Sequence, residues 1–156
     1  MTLYLSLFLA SWQQSVSYRI TASLDTLEHA LRATEYLTYC NNSPYQLDTL
    51  YMHLYANAYR DEKTAYAKES MLMGDYRFVR SKESDRGYTN ISAVTTQDDT
   101  LPFSVDETIM TVTLNHPLAS HDSVTLKIDF YVKIPKLFSR LGYQGRHYEI
   151  VQWYPK

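Results

Sequence analysis

Five histidines, one cysteine and a run of tyrosines are the residues of this sequence whose types suit catalysis, metal binding or stacking. His29, His53, His116, His121 and His147 form no H-E-x-x-H or H-x-H pattern, and none has a second His or Cys at ligand spacing. His29 follows Glu28, but the second histidine of a zinc helix is missing, so all five read as surface or strand histidines. Cys40 has no neighbouring base and reads as an inert thiol. As the single cysteine it excludes an internal disulfide and a Cys-based zinc knuckle. No G-x-S-x-G is present for a serine nucleophile. Gly142-Tyr143-Gln144-Gly145 has the spacing of a backbone clamp for nucleic acid, but such a clamp needs helices on both sides, and a hairpin turn fits its context better. Asp61-Glu62-Lys63 is a solvated turn, because adjacent carboxylates do not converge on one proton. Tyr45, Tyr51, Tyr55 and Tyr59 could stack sugars or bases, or simply cover a sheet face. On its residues alone, the chain is a domain without its own active site.

The elements that would position these residues are strands. At 156 residues with a 45% hydrophobic share, the chain suits one folded domain and is not disordered. A net charge of -2 without a dense Lys/Arg run leaves nucleic acid little to hold. Four glycines cannot build a Gly-rich phosphate loop, whereas 15 tyrosines favour half-buried strand faces. Val16, Tyr18, Ile20, Ala22 and Leu24 alternate with polar residues, as do Leu50, Met52 and Leu54. Thr108 to Leu114 is a β-branched run bounded by Asn115-His116-Pro117, and Val124, Leu126, Ile128, Phe130 and Val132 form a further apolar row, expected to be one of the longest strands. Turn residues separate these runs at 41–44, 85–87, 97–99 and 121–123. The pattern predicts an all-β fold, mainly an antiparallel β-sandwich.

Two segments stand apart. Thr64 to Met73 is rich in helix formers and precedes Gly74, which predicts one short helix on a connection. Leu27 to Cys40 fits both a helical face and an alternating strand, and periodicity leaves both open. At the start, Leu3 to Ala10 is too short to span a bilayer and no other segment is apolar enough, so no membrane span is expected. Residues 1–11 read equally as the remnant of an export signal or as a hydrophobic strand. Tyr148 to Tyr154 reads as an aromatic strand at the very end, so residues 12–156 are expected to be a domain incomplete at its C-terminal side.

Three stretches carry a resemblance. They are Leu37-Thr38-Tyr39 with Asn41-Asn42-Ser43-Pro44, Leu47 to Leu54 and Asn57-Ala58-Tyr59; Lys82 to Tyr88; and Val132 to Pro135 with Phe138 to Gly142 and Tyr148 to Lys156. From about Trp12 onward the chain resembles the N-terminal domain of aminopeptidase-N-like gluzincin zinc metallopeptidases, in the branch common in Bacteroidetes-type bacteria. The resemblance implies a saddle-like β-sandwich packed on a thermolysin-like catalytic domain, and an extended Leu27–Cys40. It implies zinc in that other domain, held by H-E-x-x-H and a distal Glu, and an amine-binding loop there as well; both motifs are missing here. For this chain it implies no catalytic residue, no metal ligand and no cofactor. It implies one substrate-binding residue, Gln152, near a strand end, with Gly142 and Gly145 shaping the approach, although Val151 replaces the usual preceding threonine. The partners implied are the catalytic domain of the parent protein and its peptide substrate, and the location is secreted, periplasmic or cell surface. Two other readings are a stand-alone secreted β-sandwich that binds peptide or glycan, and the scaffold of a peptidase relative without a metal site.

Overall fold

A computed structural model describes residues 12–156; the expected signal remnant at 1–11 lies outside the described residues. Two antiparallel sheets enclose one apolar core. The first has the order β1 (Ser15–Asp25), β2 (Ala30–Cys40), β7 (Ser123–Lys133), β4 (Tyr88–Thr95). The second has the order β3 (Leu47–His53), β6 (Ile109–Leu118), β5 (Phe103–Asp106). A small hairpin, β8 (Gly142–Gln144) and β9 (His147–Glu149), stands beside them. The one α-helix among the described residues, α1 (Ala65–Leu72), lies on the connection after β3, as its composition predicts. Thr64 begins it, accepting from the Ala67 N–H through its hydroxyl and donating to the Ala58 carbonyl at 2.9 Å. Among the described residues no helix is long and apolar enough to cross a membrane.

The ambiguous Leu27–Cys40 segment is extended from Ala30 onward, as the resemblance implies, while Leu27 to His29 belong to a turn. Asp25 accepts from the backbone N–H groups of Leu27 and Glu28 at 2.8 and 3.0 Å, which closes the turn between β1 and β2. A helix would have needed Leu27 on its buried face, yet Leu27 is 92% exposed. β2 then gains a partner on both edges, Leu37 lying opposite Tyr18 on one side and Leu126 on the other. That double pairing outweighs the weak helix propensity of its first half.

The inward rows are those read from the alternation. Leu31, Leu37, Leu126, Ile128, Phe130 and Val132 from the first sheet meet Leu50, Met52, Met110 and Val112 from the second. Each such side chain contributes about 1.5–3 kcal/mol when fully buried. β1 departs from this. Its apolar row faces the same way as that of β2, but Val16, Tyr18 and Leu24 are 45%, 37% and 41% exposed. Four strands stand against three, and β1 is an edge strand of the larger sheet, with Ile20 alone of its row packed against the core and Tyr154 on Tyr18.

Two segments differ from their predicted ends. β6 runs on through Asn115-His116-Pro117, which composition marks as a boundary, because a bulge opposite Leu47–Thr49 absorbs the proline. The expected strand Tyr148–Tyr154 stops at Glu149. Beyond it the rings turn into the molecule instead of alternating: Trp153 packs 6.0 Å from Phe130, and Tyr154 meets Tyr18 edge-on at 5.4 Å. Packing of these two aromatic rings replaces a ladder of backbone bonds. Only Lys156 pairs with a strand, exchanging backbone hydrogen bonds with His53 at 2.6 and 3.3 Å.

Gly142-Tyr143-Gln144-Gly145 is a hairpin turn, with Gln144 paired to His147 and Gly145 at φ +60°. Gly142 serves a different end. A Cβ there would lie 2.6 Å from the Leu137 Cα and 2.8 Å from the Lys136 carbonyl oxygen. Gly142→Ala should therefore lower stability by roughly 1–3 kcal/mol, because backbone must shift to admit the methyl. An unchanged urea midpoint for that variant would show that the strap at 136–137 moves freely.

Candidate functional site

Gln152 sits on the irregular segment after β9, not on a strand end, with φ +53°. The Trp153 and Tyr154 rings beyond it and the Lys156–His53 pairing hold that segment down, so its half-buried side chain lies at a defined place on the surface. It lines a cleft of about 110 Å³ together with Tyr55, Ala58, Tyr59, Arg140, Leu141 and Val151. Gly142 follows the Leu141 wall, but Gly145 does not reach this cleft; it borders another, with Leu24, Thr26, Arg146 and Tyr148.

Three separate parts of the chain converge here. Tyr55, Ala58 and Tyr59 come from a 3-10 turn, Tyr55–Tyr59, that follows β3. Asn57 anchors that turn from within: buried, it donates to the Glu107 carbonyl at 2.9 Å and accepts from the Thr89 N–H at 2.8 Å. A buried amide satisfied on both sides gives one geometry rather than several. Tyr59 is buried against Tyr66 and Phe78, which are 4.8 and 6.3 Å away. Burial pushes its phenol up, while a hydrogen bond from Ser139 and the nearby Arg140 cation hold it back. Arg140 itself is exposed, and Leu141 beside it is buried as an anchor.

The electrostatics of the cleft are one-sided. No Asp or Glu is among its lining residues. None of the ion pairs among the described residues involves Arg140. The Lys156 ammonium lies 5.3 Å from the Tyr55 ring centroid, and the His53 ring stacks on Tyr55 at 4.8 Å. The arrangement can hold a peptide-like or anionic group: the Gln152 amide donates and accepts, Arg140 and the Tyr59 hydroxyl donate.

The other candidate residues do not join it. Tyr45 and Tyr51 are about 70% exposed and do not line the cleft, so the four tyrosines form no single stacking platform. His29 stacks on Tyr143 at 3.6 Å and shares a 2.6 Å hydrogen bond with the Tyr148 hydroxyl, tying the β1–β2 turn to the β8–β9 hairpin. No group of three or more His, Cys, Asp or Glu among the described residues is placed to hold a metal ion. Two features escaped the sequence reading. Arg140 was visible only as part of Phe138-Ser139-Arg140, with nothing to place it beside Gln152. Glu35 was visible as the one charge in the apolar row Leu31, Ala33, Glu35, Leu37, Tyr39, and it is fully buried with no hydrogen-bond partner for either oxygen.

No family model and no curated protein matches this chain. Among solved structures it is similar to a mutant of a two-domain M1 zinc metallopeptidase in complex with the amino acid L-tryptophan, with a TM-score of 0.52 and 16% identity. The match covers 86% of this chain and 25% of that one, so the chain spans about a quarter of the length of the peptidase. At that identity the likeness is one of fold, and what it establishes is that these two sheets have the architecture of the N-terminal portion of an M1 zinc metallopeptidase.

Proposed function

We propose that this chain is the non-catalytic N-terminal β domain of a zinc aminopeptidase-like protein, of the Bacteroidetes-type branch, exported from the cytoplasm. In that protein it packs on the catalytic domain and lends Gln152 to the substrate cleft. The observation that carries the reading is the fold match over 86% of the chain to part of an M1 zinc metallopeptidase. The described residues hold no group placed to bind a metal ion, and in this reading the zinc chemistry sits in the catalytic domain of the parent. The half-exposed apolar row of β1, with Val16, Tyr18 and Leu24, is a surface suited to packing against a neighbouring domain.

The role of Gln152 follows from its chemistry and its seat. Its amide can donate to a substrate carbonyl and accept from a substrate N–H, fixing the peptide's orientation without taking part in proton transfer. Losing one neutral contact of this kind costs about 0.5–1.5 kcal/mol, and more if a buried partner is stranded. In the intact protein, Gln152→Ala should therefore lower kcat/KM on amino-acid anilides roughly three- to thirtyfold. Zinc content and melting temperature should stay as in the wild type. Unchanged kinetics would reduce Gln152 to an ordinary surface glutamine and this chain to scaffold.

A further inference from the structure

We infer that the Gln152 cleft is a carboxylate-binding subsite, with Arg140 as the group that recognises the anion. The inference deepens the peptide-binding reading above and rests on it for the nature of the ligand. Arg140 lines the cleft with Gln152, Tyr55 and Tyr59, and no carboxylate lines it. The guanidinium enters none of the ion pairs of the described residues; Arg19, Arg80 and Arg146 share that state, but of these four only Arg140 lines this cleft. Its charge slightly opposes the rise that burial imposes on the Tyr59 phenol, another lining residue. A second cation, Lys156, stands at Tyr55.

The donors present are of the right kind and number. A carboxylate has two oxygens that each accept in the plane of the group, and a guanidinium presents paired N–H donors in a matching plane. Beside the Arg140 fork, the Gln152 amide and the hydroxyls of Tyr55 and Tyr59 are the side-chain donors among the lining residues. The Tyr55 ring offers an apolar wall for the methylene stem that carries the charge. A neutral amide of the same shape would bring its own N–H donors toward Arg140 and lose that match. The carboxylate can belong to an acidic side chain or to the C terminus of a short peptide, as both present the same chemistry.

Isotope-labelled chain, titrated with blocked peptides and followed by amide NMR at Leu141, Val151 and Gln152, tests this. Three probes separate the sources: a glutamate blocked at both ends, its glutamine counterpart, and a neutral dipeptide with a free C-terminal carboxylate. At least one carboxylate probe should bind roughly three- to tenfold more tightly than the glutamine counterpart, as one charge-assisted contact in a solvated cleft allows. Arg140→Gln should remove that preference, and Arg140→Lys should keep part of it. The exposed position of Arg140 leaves the fold intact in both, which the dispersion of the spectrum checks. Equal binding of all three probes, a preference that survives Arg140→Gln, or the same shifts with sodium sulfate alone would each overturn the inference. Because the readout is binding to this chain, it fails or succeeds independently of the turnover measured for Gln152→Ala.

Discussion

Replacing Glu35 by leucine should make this domain more stable, and the gain should grow as the pH rises. Glu35 lies on the inward row of β2, opposite Ile20 of β1 and Ile128 of β7, and is 0% exposed. Neither carboxyl oxygen has a hydrogen-bond partner. Burial pushes its pKa up to about 8 from an ordinary 4.5, so the folded domain keeps the acid largely neutral at pH 7. An unfolded chain releases that proton near 4.5. Between 4.5 and about 8 the folded state therefore binds more protons than the unfolded one, and stability falls as the pH rises. Below that window the acid is protonated in both states and exacts no ionisation cost; above it the loss is complete and levels off. At 1.36 kcal/mol per pH unit, the full loss is on the order of 3–5 kcal/mol. Leucine removes the titration and the two stranded oxygens together, and apolar replacement of an unpartnered buried polar group is favourable by about 1–3 kcal/mol at neutral pH. Urea unfolding of both proteins at pH 5, 7 and 9 measures the difference free of the five histidines, which both share. A difference that stays constant from pH 5 to 9 would mean that Glu35 reaches water in the folded state.

Phe78→Ala should cost about 3–5 kcal/mol, the range for deleting a buried aromatic ring. Phe78 is 1% exposed and lies outside regular structure, on the connection between α1 and β4. Three rings surround it edge-on: Phe138 at 5.2 Å, Tyr66 at 5.3 Å and Tyr59 at 6.3 Å. The Arg86 guanidinium covers it at 5.5 Å. The ring thus joins the long connection, the 3-10 turn that bears Tyr59, and the segment that leads to Arg140. Phe78→Leu keeps most of the volume and should cost clearly less. The measurement is the urea midpoint at constant slope; a loss below about 1 kcal/mol for the alanine variant would show that the cluster collapses around the gap.

How far the sequence reached can be argued from particular residues. The alternation of Val124, Leu126, Ile128, Phe130 and Val132 specified a strand and its buried side, because a period of two admits no other backbone for a two-faced element. The turn at Asn41 was legible for a local reason. Asn41 is now seen to donate to the Tyr45, Leu118 and Ala119 carbonyls and to accept from Ser43, which a small amide does readily in a tight loop. The helix start at Thr64 was legible through its capping hydroxyl. For Leu27–Cys40 the resemblance decided what periodicity left open, and the paired edges of β2 supply the physical reason.

The candidate site was less legible. Gln152 was placed by resemblance on a strand, but the segment 150–156 follows the packing of Trp153 and Tyr154 instead of a ladder. Periodicity reports which way a side chain points and is silent on what stands opposite. Hence the row of β1 reads as core although Val16 and Leu24 stay half-exposed, and Glu35 reads as a flaw in a pattern although it is the least solvated charge-bearing group described. The sequence by itself determined the strands at β1, β3, β6 and β7, the inward row of β7, the helix and the turns it marked, since these depend on neighbours within a few residues; β4 and β5, which show no such alternation, it did not mark. Only the tertiary structure brought Tyr55, Tyr59, Arg140 and Gln152 around one cleft, because that meeting depends on long-range packing of three connections which no local period encodes.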